Sequence, residues 1–137
     1  MTSLNPYLHF EGTARAAIER YQAVFGGEAG VMTYGDMGMT GEHADKVMHA
    51  ALTHPDLGVL VMASDYLPGM GADSLPANGM IALSGDDAGL LRGWFDALAD
   101  GGQVHEPLRV KEWGDEFGQV QDAFGVVWVV NIATAQE

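Results

Sequence analysis

Residues 13–25 read TARAAIERYQAVF, and Gly26 and Gly27 follow at once. The apolar side chains Ala14, Ala17, Ile18, Tyr21 and Phe25 are spaced so that they fall on one stripe of a helix. Glycine enters the left-handed conformation that closes a helix, so the Gly26-Gly27 pair predicts the stop. The same design returns at residues 86–100, DDAGLLRGWFDALAD, with Leu91, Trp94, Phe95 and Leu98 as its stripe. Asp86 and Asp87 are placed to accept the orphan amide hydrogens of a helix start, and Gly101 and Gly102 end it. A chain that carries two helices of one design invites a search for a larger repeat around them.

The repeat extends both ways. PYLHFEG precedes the first helix and GMIALSGDD the second, each a short apolar strand running into a polar turn. After the first helix come GVMTYG, VMHAALTH and GVLVMAS, and after the second QVHEPL, FGQVQDA and VVWVVNI, all with strand composition. The order is β-α-β-β-β twice: module one over about residues 1–67, a Gly/Pro-rich linker over about 66–79, and module two over about 78–137. A period of about 74 residues in two copies is no solenoid. The expected fold is α+β, with two βαβββ modules in tandem. A helix covers one face of each mixed sheet, and the uncovered faces are expected to curve around a shared cavity.

The chain has 137 residues, which fits one domain. No apolar run approaches the roughly 18 residues of a membrane span. The opening MTSLNPY lacks the basic flank and apolar stretch of a secretory signal, so a cytoplasmic location is expected. There is no cysteine, which removes disulfides, thiolate metal sites and a cysteine nucleophile. Six Lys and Arg against nineteen Asp and Glu give a formal charge of −13. Nucleic acid is therefore a poor partner. The charge reads either as plain solubility or as a field that favours cationic small molecules over anionic ones.

Strand alternation puts Asn5, Tyr7 and His9 on one face and Leu8 and Phe10 on the other, under the helix. His49, in a central strand, is expected to hydrogen-bond a neighbour, and a metal role shared with His9 is the sharper alternative. His43 falls in an acidic loop and His54 in a turn, while His105 and Glu106 should point opposite ways. No HExxH, HxH or GxSxG pattern occurs. Asp115 and Glu116 read as loop acids ahead of the seventh strand, without the burial that general acid and base chemistry needs. Trp113 stands in a polar segment, which points to ligand or interface contact, whereas Trp128 and Trp94 are expected in the core. Met32, Met37, Met39, Met62, Met70 and Met80 are adaptable side chains that suit an apolar lining or gap filling.

The segments LNPYLHFEG, AIERYQAVFGGE, YGDM, DKVMHA, VLVMASD, PGM and WGDEFGQVQDAFGVVW together resemble the vicinal oxygen chelate superfamily of glyoxalase I, bleomycin resistance proteins and extradiol dioxygenases. Within it they resemble the PhnB-like branch. The resemblance implies a homodimer and a cavity with four metal positions, which fall at Asn5, near Val61, at Met80 and at Val129. None suits a hard or borderline divalent ion, so neither metal nor cofactor is expected. His9 takes the place of a residue that reaches the substrate in the resembling enzymes. The expected ligand contacts are Tyr7, His9, Met80 and Trp113, with no catalytic residue assigned. The implied function is binding of a small, partly apolar molecule. The alternatives are a divalent-metal enzyme with unorthodox ligands and a dimer with a vestigial cavity.

Overall fold

The computed structural model describes residues 5–67 and 78–133. The chain forms two compact units, Met1–Ala77 and Asn78–Glu137. Unit one contains β1 (Tyr7–Phe10), α1 (Ala14–Phe25), β2 (Glu28–Thr33), β3 (Val47–His54) and β4 (Gly58–Asp65). Its sheet runs β1-β4-β3-β2, with β1 parallel to β4 and the other pairs antiparallel. Unit two repeats this with β5 (Met80–Gly85), α2 (Ala88–Ala99), β6 (Gln103–Val110), β7 (Glu116–Gln121) and β8 (Val127–Ile132), in the order β5-β8-β7-β6. The architecture is the α+β pair of βαβββ modules, with mixed four-stranded sheets, that the sequence predicts. Met70, one of the methionines considered above, lies outside the described residues.

The stripe of α1 is buried throughout: Ala14, Ala17, Ile18, Tyr21 and Phe25. They cover Leu8, Phe10, Ala50, Leu52, Val61 and Ala63, which are also buried. In α2 the buried stripe is Leu91, Phe95 and Leu98. Trp94 is only half-buried, so its expected core position is corrected. Gly27 and Gly102 sit at matching turns from helix to strand, where a Cβ would overlap the carbonyl oxygens of Thr53 and Gln121 respectively.

The two helices start by different means. Asp87 caps α2 locally, its Oδ1 accepting from the Leu90 amide at 3.1 Å. Thr13 makes no side-chain cap for α1. Asp65 at the end of β4, only 2% exposed, takes over. Its Oδ1 accepts from the Gly12 and Ala14 amides at 3.0 and 2.9 Å, and its Oδ2 from the Val47 amide at 3.0 Å. One carboxylate thereby joins the β1–α1 turn, the first turn of α1 and the start of β3. A second buried carboxylate, Asp122, organises the turn between β7 and β8. Its Oδ1 accepts from the Phe124 and Val126 amides, and its Oδ2 from the Trp128 indole at 2.8 Å. Trp128 is buried, as expected.

Candidate ligand-binding face

Each helix covers one face of its sheet, and the opposite face carries the side chains with chemistry. In unit one the register sets Tyr7, Met62, Ala51 and Gly30 in one row across β1, β4, β3 and β2. The next row contains His9 beside Ser64 and His49 beside Met32. Residues that pair across strands share a face. These rows carry no carboxylate, ammonium or guanidinium group. Small residues at Ala51, Ser64 and Gly30 lie between the larger Tyr7, His9, His49 and Met32.

Two aromatic pairs stand on this face. The Tyr7 hydroxyl and His49 Nδ1 are 2.9 Å apart, and their rings lie 5.5 Å apart at 53°. His9 lies against Tyr66, ring centroids 5.9 Å apart. Tyr66, read from sequence as the start of the linker, is still tied to the sheet, its amide donating to the Phe10 carbonyl at 2.9 Å. Tyr34 donates its hydroxyl to the Asp65 carbonyl at 2.9 Å. Burial, then the nearby Asp65 carboxylate and Tyr7, push the Tyr34 phenol above its ordinary value.

In unit two the open face has three rows: Met80, Val127, Gln121 and Gln103; Ala82, Val129, Gln119 and Glu106; Ser84, Asn131, Phe117 and Arg109. Trp113, 62% exposed, meets Phe117 edge-on at 5.9 Å. Met80 stands two rows from Phe117, about 13 Å along the strands, so Met80 and Trp113 are not brought together. Glu106 pairs with Lys111 and Arg109. Hydrogen bonding to Lys111 first, and the charges of Lys111 and Arg109 after it, hold its carboxyl below the usual range.

The other histidines and the acids singled out in the sequence are placed by local contacts. His54 Nδ1 accepts from the Asp56 amide at 3.0 Å, closing the turn between β3 and β4. His105 Nε2 lies 3.0 Å from Gln121 Oε1. His43 sits beside Glu42 at 3.5 Å. Glu116, read as a loop acid, is corrected, whereas Asp115 does lie in the loop ahead of β7. Glu116 opens β7 and is bound by the Arg92 guanidinium of α2, and Asp115 accepts from Asn131 Nδ2 at 3.0 Å.

Strand parity also corrects one metal position. Val61 faces the helix and is buried. The two units match when Asn5 is set on Met80 and Tyr7 on Ala82. Ala82 pairs with Val129, and Tyr7 pairs with Met62. The open-face equivalent of Val129 is therefore Met62. The Asn5 amide donates to the Val59 carbonyl at 3.0 Å.

Paired βαβββ modules, each with one helix-covered and one open sheet face, define the class of fold to which this chain belongs. The chain belongs to the Glyoxalase/Bleomycin resistance protein/Dioxygenase superfamily, whose sequence model matches residues 3–130. Protein YjdN of Escherichia coli (strain K12) is 30% identical over 146 residues, covering 97% of each chain. The crystal structure of protein PA1353 from Pseudomonas aeruginosa is 34% identical, with a TM-score of 0.81 over 98% of this chain and 100% of that one. The PhnB protein from Bacillus cereus shares the fold, with a TM-score of 0.69 at 22% identity over 96% of this chain and 100% of its own.

The superfamily implies a divalent metal. The residues at its positions, Asn5, Met62, Met80 and Val129, offer one amide, two thioethers and a hydrocarbon, which do not fit such an ion. Among the described residues no three His, Cys, Asp or Glu side chains are grouped to hold one.

Proposed function

We propose that this protein is a PhnB-like member of its superfamily that binds a small, partly apolar, neutral or cationic molecule on the open face of the first sheet, without a divalent metal. The observation that carries the reading is the composition of the two rows. Tyr7, His9, His49 and Tyr66 supply aromatic faces and hydrogen-bonding tips, Met32 and Met62 adaptable apolar surface, and small residues lie between them. An anionic ligand would find no cation there. A cationic one would be favoured by tyrosine rings and by the formal charge of −13. The protein is proposed to act as a homodimer.

The test is a thermal-shift screen of neutral, cationic and anionic aromatic compounds, followed by recovery of each stabilising compound. A true ligand at 100 times its Kd adds about 2.7 kcal/mol of stability and is recovered unchanged. His9→Ala and Tyr7→Phe should weaken that stabilisation while leaving the unliganded midpoint near wild type. Preference for anionic compounds, or chemical conversion of the ligand, would reject the reading.

A further inference from the structure

We propose that Tyr7, His9, Tyr34, His49 and Tyr66 form an aromatic cage above Ser64 that takes a quaternary ammonium group, so that the small molecule bound on this face carries a fully alkylated nitrogen. The inference deepens the reading of the open face given above and rests on it. Ser64 is the Cα partner of His9, and because Ala63 pairs with Ala50, one antiparallel step brings Ser64 level with His49. The two imidazoles therefore stand on the strands either side of β4, with a half-buried serine between them. The tyrosines gather at the same point. Tyr7 starts from β1 and meets His49 on β3, its hydroxyl 2.9 Å from Nδ1, so its side chain crosses over β4. Tyr66 lies two residues after Ser64, with its ring 5.9 Å from that of His9. Tyr34 comes from beyond the end of β2 and donates at 2.9 Å to the carbonyl of Asp65, the residue between Ser64 and Tyr66. It is also near enough to Tyr7 for that phenol to raise its own pKa. Three of the four tyrosines thus meet at the end of one strand, whereas the fourth, Tyr21, is in the core.

Dimensions and polarity select the cation. Neighbouring strands are about 4.8 Å apart, so a charge above Ser64 stands about 5 Å from the walls that rise from β1 and β3. That is within the roughly 6 Å at which a ring face attracts a cation. A primary ammonium has three N–H donors to satisfy, and the two rows offer no carboxylate to meet them. The Asp65 carboxylate is buried and held by three backbone amides. The Tyr7 and Tyr34 hydroxyls are turned to His49 and to the Asp65 carbonyl. A nitrogen whose hydrogens are all replaced by alkyl groups asks for no acceptor, and aromatic faces are what holds it. The formal charge of −13 adds long-range attraction without placing an acid in the cage.

The experiment titrates the full chain, labelled at tyrosine, with choline, with its neutral tert-butyl analogue in which carbon replaces the charged nitrogen, and with ethanolamine. Choline should bind about tenfold tighter than either control. Its N-methyl protons should give NMR contacts to the rings of Tyr7, Tyr34 and Tyr66, while the Tyr21 signals stay in place. Tyr66→Leu should weaken choline binding by about fivefold or more, and Tyr66→Phe, which keeps the ring, should hold it near wild type. Should Tyr66→Leu fail to fold, the N-methyl contacts in the wild type decide. No binding of choline, equal binding of the neutral analogue, tighter binding of ethanolamine, or contacts confined to other residues would overturn the cage. Neutral aromatic compounds that still stabilise the protein, and lose that effect in His9→Ala, would then keep the open face as the binding site and remove only the ammonium. Stabilisation by neither class would remove both.

Discussion

Replacing Asp65 should cost more stability than any other single surface-distant polar change in the first unit. Its carboxylate accepts three backbone amides, two of them in fully buried hydrogen bonds and the Gly12 amide in a half-buried one. Asp65→Ala removes all three acceptors at once and admits no local substitute, since Thr13 makes no cap. An unsatisfied buried donor costs about 1–3 kcal/mol, so the expected loss is about 3–6 kcal/mol. That is a large share of the roughly 5–15 kcal/mol that stabilises a typical domain. Asp65→Asn keeps one acceptor oxygen for Gly12 and Ala14 but turns an NH2 group toward the Val47 amide, so about half of the loss should remain. The assay is urea unfolding. With a slope of about 1–3 kcal/mol per molar, the alanine variant should unfold at a midpoint lower by roughly 2 M, with the slope unchanged. Amide exchange should lose its protection first at Ala14 and Val47. An alanine variant within about 1 kcal/mol of wild type would show that water or a neighbour replaces the carboxylate, and Asp65 would then not be what ties α1 to β3.

Two further outcomes follow from the second unit. Asp122→Ala leaves the Trp128 indole and the Phe124 and Val126 amides without their acceptor; about 2–4 kcal/mol should be lost, and an unchanged urea midpoint would contradict it. The Arg92 guanidinium hydrogen-bonds Glu116 and lowers its carboxyl below the usual range. A carboxyl lowered by folding stabilises above its unfolded pKa of about 4.3 and stops doing so as pH falls through the lower folded value. The difference in melting temperature between wild type and Arg92→Gln should be level from about pH 8 to 5.5 and vanish toward pH 3. It should also shrink with added salt, since the pair is at the surface. A difference that grows on acidification would refute the assignment.

The legible parts of the sequence are those with a short period. The α1 stripe is buried residue for residue, and alternation along β1 separates Leu8 and Phe10 from Tyr7 and His9 as expected. What escapes a reading of the sequence depends on register between strands. His49 is 42 residues from Tyr7, and nothing local identifies the phenol as the neighbour it bonds. Val61 misses the open face by one residue, because β4 is apolar on both faces and alternation there has no contrast to read. Tyr66 follows the last strand residue and precedes a Gly/Pro-rich stretch, so its composition reads as linker although its ring lies on His9. The pairing of Glu116 with Arg92 joins a strand to a helix, and sequence spacing carries no sign of it.

The motifs that mark the family divide along the same line. In the second unit, Asp122, Gly125 and Trp128 form one turn: the Gly125 amide donates to the Asp122 carbonyl at 3.1 Å, its φ of 88° suits glycine, and the Asp122 carboxylate takes the indole. Gly118 is equally structural, since a Cβ there would stand 2.9 Å from Leu108 and from Phe95. That motif certifies the fold and says little about chemistry. The first unit's motifs are mixed. The Asp65 that closes VLVMASD is a cap, whereas LNPYLHFEG and DKVMHA contribute Tyr7, His9 and His49 to the open face. Two proteins could therefore share the whole second-unit motif and differ in function, while an exchange at Tyr7 or His49 would alter the chemistry that the open face presents. Functional comparison within the superfamily consequently belongs on the cross-strand rows of the first sheet, where Met62 rather than Val61 stands for the superfamily's metal position.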